Sequence, residues 1–338
     1  SPLFVTGEVN KTIVFLLPLT IQEKSWAHLL CWMGQDVNNY NVPLICPRFL
    51  KKLTPELVAE IWSAVKHHIA GIDGLYLDKQ PELLDGQSNP FVDSSSIGYG
   101  TQSHAFFLKG DWVSIYQSKR KSEQRRKLKV KQRNLENLGR LDMIKGTSIQ
   151  MKRQHIQETI EFKIHQLQST GARNPFENEQ IQAFLKFSGD DVLGLDLFQT
   201  YCLSLDEKPI ALAFGFKFKG AFVLYQSSIK DGFLSRYSPG KLLLNEMIKD
   251  CMNSRLEIFD MSNGEFSYKS DWCDQHRNLY VGLQPFTFRG WIMVSSLKSF
   301  LRVKHILKSQ RQIVRLICNL RKIVVQVRTN LSGLNARR

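Results

Sequence analysis

The sequence has few cysteines, and it lacks the cysteine spacings that hold a metal ion. Its six cysteines are scattered over 338 residues, and none forms a CxxC pair or a Cys/His cluster with zinc-like spacing. It also lacks any window of about 18 uncharged apolar residues that could span a membrane. We therefore expect no metal site, and we expect buried free thiols in a reducing cytoplasm.

The motifs of several common enzyme classes are also missing. The sequence contains no GxSxG, no HExxH and no GxxxxGK[ST]. Elbow-type serine hydrolases, zinc peptidases and P-loop nucleotide hydrolases therefore have no support. No helix-turn-helix or RNA-recognition sheet pattern stands out, so nucleic acid is not an expected partner.

The sequence does contain strong positive charge, which is confined to two segments. Of the net charge of +15, residues 119–133 contribute nine Lys or Arg against one Glu, and residues 289–338 contribute twelve Lys or Arg with no acid. The rest of the chain is slightly acidic on the same count. Such segments attract coenzyme phosphates, nucleic acid or an anionic membrane face, or they form solvated helix faces.

The order of predicted elements indicates an α+β protein with two main domains. Residues 1–100 predict a first domain, which ends in the Ser/Gly/Pro-rich segment 88–100. It includes a helix over 54–69 with Thr54 as its N-cap. Because the chain opens at Ser1 directly on a strand, we expect this first domain to be truncated at its front.

Residues 101–290 predict the main domain. Ile115–Leu138 has helical propensity but only a thin apolar stripe of leucines. The runs "LFQTYCLSL", "IALAFGFKF" and "AFVLYQSSI" predict three antiparallel strands. A helix over Pro239–Asn253 and the strands "LEIFDMS" and "NLYVGLQPFTF" follow.

Residues 291–338 predict a basic helical tail. Its apolar stripe includes Val303, Ile306 and Ile313 and is flanked by basic residues. The stripe either packs on the parent domain or attaches the protein to the inner face of an anionic membrane.

A phosphate signal lies at the start of the predicted 239–253 helix, in "SRYSPGK". Ser238 is a good N-cap, and Pro239 suits the first helical position. Gly240 leaves the backbone unshielded, so first-turn N–H groups point outward at the positive end of the helix dipole. Lys241 and Arg236 add charge, which predicts a pyrophosphate site. A plain helix start explains the same residues.

The strand before this loop and the strand after the helix carry the remaining chemistry. A thioester beside the edge of "AFVLYQSS" could be polarised by a backbone N–H and attacked by a neutral amine. In "IFDMSNGEFSYKSDW", Asp260 or Glu265 could take a proton, Tyr268 could donate or accept one, and Lys269 could hold a phosphate or carboxylate. A hydrogen-bonded turn around one buried aromatic residue is the alternative.

Taken together, these stretches resemble the CelD-like (cellulose-biosynthesis-associated) GNAT acetyltransferases. "YSPGKLLLNEMI" followed by "FDMSNGEFSYKSDW" is similar to that family, and "WVSIYQSKRKSEQRRKLKVKQRNLENLG" resembles its basic helix. "LLCWMGQDVNNYNVP" resembles the Gly-rich loop of its N-terminal half. The resemblance runs from about residue 12 to 288. The "YK..W" region is also similar to Fem-type peptidyltransferases, which share a doubled GNAT architecture.

The resemblance implies two GNAT-like (acyl-CoA N-acyltransferase) domains, each with a mixed central sheet flanked by helices. It implies acetyl-CoA, or another acyl-CoA, as co-substrate and no metal. The resemblance places Ser238, Gly240 and Lys241 on the coenzyme-pyrophosphate loop, and we expect Arg236 and Tyr225 to bind the coenzyme with them. It places Gly264, Glu265, Tyr268, Lys269 and Trp272 on the substrate-side motif. Together with the argument from the strand end, this predicts Asp260, Glu265 and Tyr268 as catalytic residues and Lys269 and Trp272 as substrate-binding residues. On the N-terminal loop, Asp36 and Tyr40 are also predicted to bind substrate.

The expected function is transfer of an acyl group, acetyl in the first instance, from acyl-CoA to an amine on a polar small molecule or sugar. The resemblance connects this activity to exopolysaccharide or cellulose biosynthesis. One alternative is Fem-like aminoacyl transfer from charged tRNA, with the basic segment 119–133 on the tRNA phosphates. Another is a non-catalytic GNAT scaffold that docks on a membrane or partner through the tail.

Overall fold

Strands and helices alternate along the chain as expected for an α+β protein. The computed structural model describes residues 2–93, 96–170, 174–190, 194–264, 269 and 271–309. The strands are β1 (Pro2–Val9), β2 (Thr12–Lys24), β3 (Ala27–Trp32), β4 (Leu44–Ile45), β5 (Gly74–Pro81), β6 (Leu83–Leu84), β7 (Gln87–Ser88), β8 (Ile97–Phe107), β9 (Leu141–Lys145), β10 (Phe198–Leu205), β11 (Lys208–Phe218), β12 (Ala221–Ile229), β13 (Ile258–Asn263) and β14 (Gln275–Pro285). The helices are α1 (Pro47–Leu50), α2 (Pro55–His68), α3 (Trp112–Lys119), α4 (Ser122–Glu136), α5 (Ile149–Thr170), α6 (Glu179–Ser188), α7 (Pro239–Asn253) and α8 (Phe288–Ser309).

These elements form two compact units. Unit 1 contains the described residues up to Ser103, then Asn263 and Gly264, and those from His276 onward. Unit 2 contains the described residues from His104 to Ser262 and from Lys269 to Gln275. Unit 1 thus includes β14 and α8, which the sequence had placed in the 101–290 domain and the 291–338 tail. The physical reason is a long-range pairing, because β14 runs antiparallel to β5.

Unit 1 has a mixed sheet between two helices. Its strand order is β1-β2-β3-β5-β14, and only β3 and β5 are parallel neighbours. Helix α2 buries Val58, Trp62 and Val65 against one face. Helix α8 buries Met293 and Val294 against strands of the same sheet. The predicted start of α2 is confirmed, since Oγ1 of its N-cap threonine accepts the N–H three residues on, at 3.3 Å.

Unit 2 also has a mixed sheet with helices on both faces. Its strand order is β13-β12-β11-β10-β9, and β12 and β13 are the parallel pair. The three predicted antiparallel strands are β10, β11 and β12. Helix α7 buries Leu243 and Met247 on one face, while α5 buries Ile156 and Ile160 on the other.

Each unit, taken by itself, has the same order of elements. Three antiparallel strands are followed by a helix and then by a strand parallel to the third, namely β1, β2, β3, α2 and β5 in unit 1, and β10, β11, β12, α7 and β13 in unit 2. The sequence shows no internal repeat, so the likeness exists only in the backbone. The predicted α+β class, with mixed sheets flanked by helices, is confirmed.

The C-terminal part of the described chain is α8. Within the described residues, no helix is both long enough and apolar enough to cross a membrane. Val303 and Ile306 of the predicted stripe are exposed on α8, and Ile313 with the rest of that stripe lies outside the described residues. The described cysteines are free, four of them buried and Cys46 exposed.

The basic segment forms two helices where the sequence predicted one. Helix α3 begins after Asp111, whose carboxylate accepts the Ser114 N–H at 2.9 Å, and α4 follows a break at Arg120. Helix α4 rests on one fully buried side chain, Leu135, whereas Leu138 of the expected stripe is 48% exposed. Leu128 packs against the same core in a partly buried position, so the most deeply buried attachment of α4 lies near its C-terminal end.

We expect Leu135→Ala to lower the free energy of unfolding by about 2–5 kcal/mol, because it leaves a cavity beneath α4. Leu138→Ala, three residues away on the exposed side, is the matched control and should change it by less than about 0.5 kcal/mol. Urea unfolding of the two variants measures both effects. Equal losses would show that α4 is not anchored at Leu135.

Candidate functional site

The parallel strands of unit 2 stay paired over only a short length. β12 and β13 share three residue pairs, of which Val223 and Asp260 form the last. Beyond this pair β12 continues to Ile229 beside β11, while β13 continues to Asn263. A fork therefore opens between the two strands, with Asp260 at its closed end.

A bulge in β12 follows directly on the last of these pairs. Phe214 pairs with Gln226 and Gly215 pairs with Leu224, so Tyr225 is an extra residue on β12. A bulge bends its strand and increases the local twist, which fits the departure of β12 from β13. A β-carbon on Gly215 would lie 2.2 Å from a β12 carbonyl oxygen. The close approach at the bulge thus requires glycine.

The side chain of Tyr225 belongs to the core rather than to the helix start. Its ring stacks on Phe214 with a centroid distance of 5.6 Å and packs against the cluster beneath α5. Burial raises the pKa of its hydroxyl to about 12. The predicted role of this side chain in coenzyme binding therefore finds no support, although its backbone lies on the fork.

Helix α7 begins at Pro239 as predicted, but Ser238 does not cap it with its side chain. Ser238 is left-handed (φ 60°, ψ 50°), which turns its hydroxyl away from the first turn. Its Oγ instead accepts a hydrogen bond from Lys131 Nζ at 2.8 Å. The Lys241 N–H donates to the Ser238 carbonyl at 2.9 Å. The N–H of Gly240, also in the first turn, has no hydrogen-bond partner among the described residues.

A small basic pocket surrounds the start of α7, and we call it the mouth pocket. Its volume is about 180 Å³, and it is lined by Tyr116, Arg120, Gln124, Lys127, Leu128, Lys131, Ser238 and Lys241. Side chains from α4 and from the start of α7 thus meet in one place. The sequence predicted anion binding for each of these segments separately, but it did not predict that they lie together. The sequence signal for this shared pocket was the spacing of Lys127 and Lys131, which lie one helical turn apart and so on one face of α4.

The positive charge of the mouth pocket is only partly neutralised. Arg120 and Lys127 each have a carboxylate within 2.6 Å. Lys131 and Lys241 form no ion pair with any described residue. Two such cations at the positive end of a helix dipole repel each other and the dipole. An anion in the pocket would remove this repulsion.

Arg236 does not line the mouth pocket, contrary to expectation. Its guanidinium lies 3.5 Å from the ring centroid of Phe233 and 4.8 Å from that of Tyr237. It also donates to the Tyr237 hydroxyl at 2.7 Å. The aromatic residues of the short 3-10 helix before α7 therefore hold this side chain.

The predicted proton-transfer residues are partly described. The Asp260 carboxylate accepts the Ser262 N–H at 2.6 Å. Lys269 is only 4% exposed, and its Nζ donates to the Ser262 carbonyl at 3.4 Å. Burial lowers the pKa of Lys269 to about 8, and the nearby Asp260 opposes that shift. Glu265 and Tyr268 lie outside the described residues, so their roles stay predictions.

Trp272 is a core residue in this structure. It was expected to bind substrate, but its side chain is fully buried. The indole stacks on Phe106 at 5.4 Å and lies 6.1 Å from both Trp112 and Tyr116. Arg120 covers it at 5.2 Å. In this stack the side chain has no exposed surface, so the structure gives its predicted role in substrate binding no support.

Asp36 and Tyr40, also predicted to bind substrate, lie in unit 1 on the loop after β3. The parallel strands β3 and β5 share three residue pairs, as their counterparts in unit 2 do. Here the loop after β3 bonds to the part of β5 that lies beyond its pairs with β3. The Asp78 N–H donates to Gln35 Oε1 at 3.2 Å, and Asn41 Nδ2 donates to the Asp78 carbonyl at 2.9 Å.

Lys79 fastens the same loop. Its Nζ donates to the Gln35 carbonyl at 2.8 Å and to the Asn38 carbonyl at 2.7 Å. The fork of unit 1 is thus filled by its own chain. The loop after β12 in unit 2 instead bonds within itself, as Ser235 Oγ does to the Gly232 carbonyl at 2.8 Å. Unit 2 therefore presents the better site for a ligand between its strands.

Among the residues that the structure describes, no group of three or more His, Cys, Asp or Glu side chains could hold a metal ion.

The comparison with known proteins agrees with this geometry. Residues 122–270, which begin at the start of α4 and extend past β13, match the family model described as an acetyltransferase (GNAT) domain. No curated protein sequence matches the chain.

Several solved structures are similar to the chain at low sequence identity. FemX superposes with a TM-score of 0.53 at 6% identity, over 82% of this chain and 87% of FemX. The C-terminal domain of a putative lysylphosphatidylglycerol synthetase from Agrobacterium fabrum has a TM-score of 0.49 at 12% identity, over 88% of each chain. A tandem GNAT protein from the clavulanic acid biosynthesis pathway has a TM-score of 0.44 at 8% identity, over 82% of this chain and 81% of that protein. The chain therefore has the GNAT fold and carries a GNAT acetyltransferase-like domain of the acyltransferase class.

Proposed function

We propose that unit 2 transfers an acyl group, acetyl in the first instance, from acyl-CoA to an amine. The observation that carries this proposal is the contact of 2.8 Å between Lys131 Nζ and Ser238 Oγ. It brings the basic helix α4 to the N-terminus of α7, where a helix dipole and two uncompensated cations favour a pyrophosphate. The coenzyme pyrophosphate would occupy the mouth pocket, and its pantetheine arm would enter the fork.

The fork suits the transfer step. A thioester between β12 and β13 would lie beside backbone N–H groups that no longer pair across the strands, and these could polarise its carbonyl. The neutral amine attacks the carbonyl carbon, and a C–N bond forms. The tetrahedral intermediate then breaks its C–S bond, and the leaving thiolate takes up a proton. The attacking nitrogen loses its own proton to a base or a water path.

Asp260 is the described carboxylate best placed for that proton. It occupies the last β12–β13 pair, at the closed end of the fork. The carboxylate of Asp260 raises the pKa of Lys269 against the effect of burial, so the two side chains lie close enough to interact. We propose that Asp260 accepts the amine proton, directly or through water.

We further propose an acceptor amine on a sugar or another polar small molecule. The support is the resemblance of the "SPGK" and "GEFSYKSDW" stretches to CelD-like acetyltransferases, which connects the reaction to exopolysaccharide or cellulose biosynthesis. The mouth pocket and the fork support only the donor end of the proposed reaction. The acceptor therefore rests on the sequence resemblance.

A second candidate function is aminoacyl transfer from charged tRNA. The observation in its favour is the row of exposed basic side chains on α4 in a chain that shares its fold with FemX. Phosphate contacts from such a row would make tRNA binding fall steeply with salt. Absent or salt-independent tRNA binding would remove this candidate.

We expect acetyl-CoA to bind the wild-type chain and to bind the Lys131→Gln/Lys241→Gln variant at least about tenfold more weakly, because each change removes a charge-assisted phosphate contact. The control variant Lys208→Gln/Lys219→Gln loses the same charge at two exposed positions and should bind like wild type. Isothermal calorimetry measures all three. If the wild-type chain does not bind acetyl-CoA at millimolar concentration, the proposal is wrong.

We expect Asp260→Asn to lower kcat by about 100-fold, which is within the range of general-base contributions. Its Kd for acetyl-CoA should change by less than about twofold, since the donor site remains. Thiol release from acetyl-CoA, with glucosamine and a panel of amino sugars as acceptors, measures the rate. Asp231→Asn, in the exposed loop after β12, is the matched control. An unchanged kcat in Asp260→Asn would exclude this residue as the base.

A further inference from the structure

A second and larger cavity lies in unit 2, which we call the α4–α7 groove. Its volume is about 1220 Å³, and α3, α4, α7, β9 and β10 all contribute to its walls. Leu128, Met143, Leu203 and Leu242 give it an apolar floor. Ligand pockets for small molecules span about 300–1000 Å³, so the groove is large enough for one.

The groove exists because α4 cannot close against α7. Its one fully buried side chain, Leu135, anchors only its C-terminal end. Farther toward the N-terminus, Arg125 and Lys129 line the groove instead of packing across it. A helix with so thin an apolar stripe gains little from closer packing. The gap between α4 and α7 is thus a consequence of the α4 sequence.

Two stacked aromatic rings form one wall of the groove. Trp112 and Tyr116 lie one turn apart on α3, with ring centroids 4.8 Å apart and an angle of 15° between their planes. Trp272 supports both rings from the core. Flat rings of this kind are platforms on which nucleobases stack. Lys249 Nζ lies over the Trp112 ring, 5.2 Å from its centroid, so a base that stacks on this ring replaces that contact.

An unpartnered amide lies beside these rings. Asn245 on α7 is 8% exposed, and its Nδ2 donates to the Tyr116 hydroxyl at 3.4 Å. Its buried Oδ1 has no hydrogen-bond partner in the described part of the chain. A buried carbonyl without a donor is costly, so the amide favours a ligand that brings an N–H.

The rim of the groove has unbalanced positive charge. Each acidic residue on the rim already has a partner from the chain, since Glu123, Glu136 and Glu246 contact Lys127, Gln132 and Lys249. Arg125, Arg126 and Lys129 have no ion pair among the described residues, and the buried Arg125 Nε has no acceptor. These three side chains favour an anion.

The groove and the mouth pocket share two lining residues, Tyr116 and Leu128. A ligand with phosphates at the start of α7 can therefore extend into the groove. We propose that the groove binds the nucleotide end of the acyl donor, an adenosine phosphate. The base stacks on Trp112 and Tyr116 and donates an N–H to Asn245, and the ribose phosphate binds Arg125, Arg126 and Lys129. This inference rests on the proposed acyl-CoA function.

The test uses adenosine 3′,5′-bisphosphate as the probe, measured by calorimetry on the full chain. We expect Arg125→Gln/Lys129→Gln to weaken its binding at least tenfold, because two phosphate contacts are lost. The control variant Lys121→Gln/Arg133→Gln removes the same charge from the same segment at positions that line neither cavity, and it should bind like wild type. Trp112→Leu should weaken binding about fivefold, whereas Trp112→Phe keeps a flat ring and should retain most of it.

A second probe separates this proposal from the donor proposal. 4′-Phosphopantetheine lacks the nucleotide, so Arg125→Gln/Lys129→Gln should leave its affinity unchanged, while Lys131→Gln/Lys241→Gln should weaken it. In one outcome, acetyl-CoA binds the wild-type chain, and Arg125→Gln/Lys129→Gln binds acetyl-CoA and the bisphosphate as tightly as wild type. The groove proposal is then wrong, and the donor proposal stands. If acetyl-CoA does not bind the wild-type chain, both proposals fail.

Discussion

The parting of β12 from β13 is the constraint on which the site depends. The two strands pair over three residues and then separate, because β12 stays with β11 and takes a bulge at Tyr225. Strands that continued to pair would leave no free backbone groups and no space between them. The separation also places the end of β12 beside the start of α7, so that the fork and the mouth pocket belong to one site. Asp260 lies at the fork only because the pairing stops there.

The same backbone arrangement occurs in unit 1, but there the space between the parallel strands is filled by the protein's own loop. Its parallel strands also share only three pairs, but the loop after β3 bonds to the part of β5 that lies beyond those pairs. The ammonium of Lys79 completes this closure by donating to two loop carbonyls. A ligand there would have to displace several buried hydrogen bonds and leave their partners unsatisfied. The fold alone therefore does not create a site, and the loop that follows the third strand decides which fork is available.

Local signals in the sequence predicted the elements well and their contacts poorly. The start of α7 at Pro239 and the meander β10–β12 follow from proline placement and from apolar strand runs, both of which act over a few residues. The left-handed conformation of Ser238 has no such signal, since a serine before proline reads as a cap. Trp272 was expected to contact substrate because it lies in the stretch that resembles the family's substrate-side motif, yet tertiary stacking buries it. This agrees with the alternative of a turn around one buried aromatic residue. The pairing of β14 with β5 joins residues about two hundred positions apart, which no local pattern encodes.

The charge of α4 makes sense only together with the helix that it faces. A solvated basic helix would keep its cations apart from other positive groups, but Lys131 lies against the start of α7, near Lys241. This arrangement costs free energy in the unliganded protein, because like charges and a helix dipole are held together. An anion that neutralises them binds the folded chain and not the unfolded one, so its binding free energy adds to stability by mass action. The thin apolar stripe of α4 fits this reading: the helix is held weakly by the core, and a donor lying between α4 and α7 would supply the attraction that the core does not.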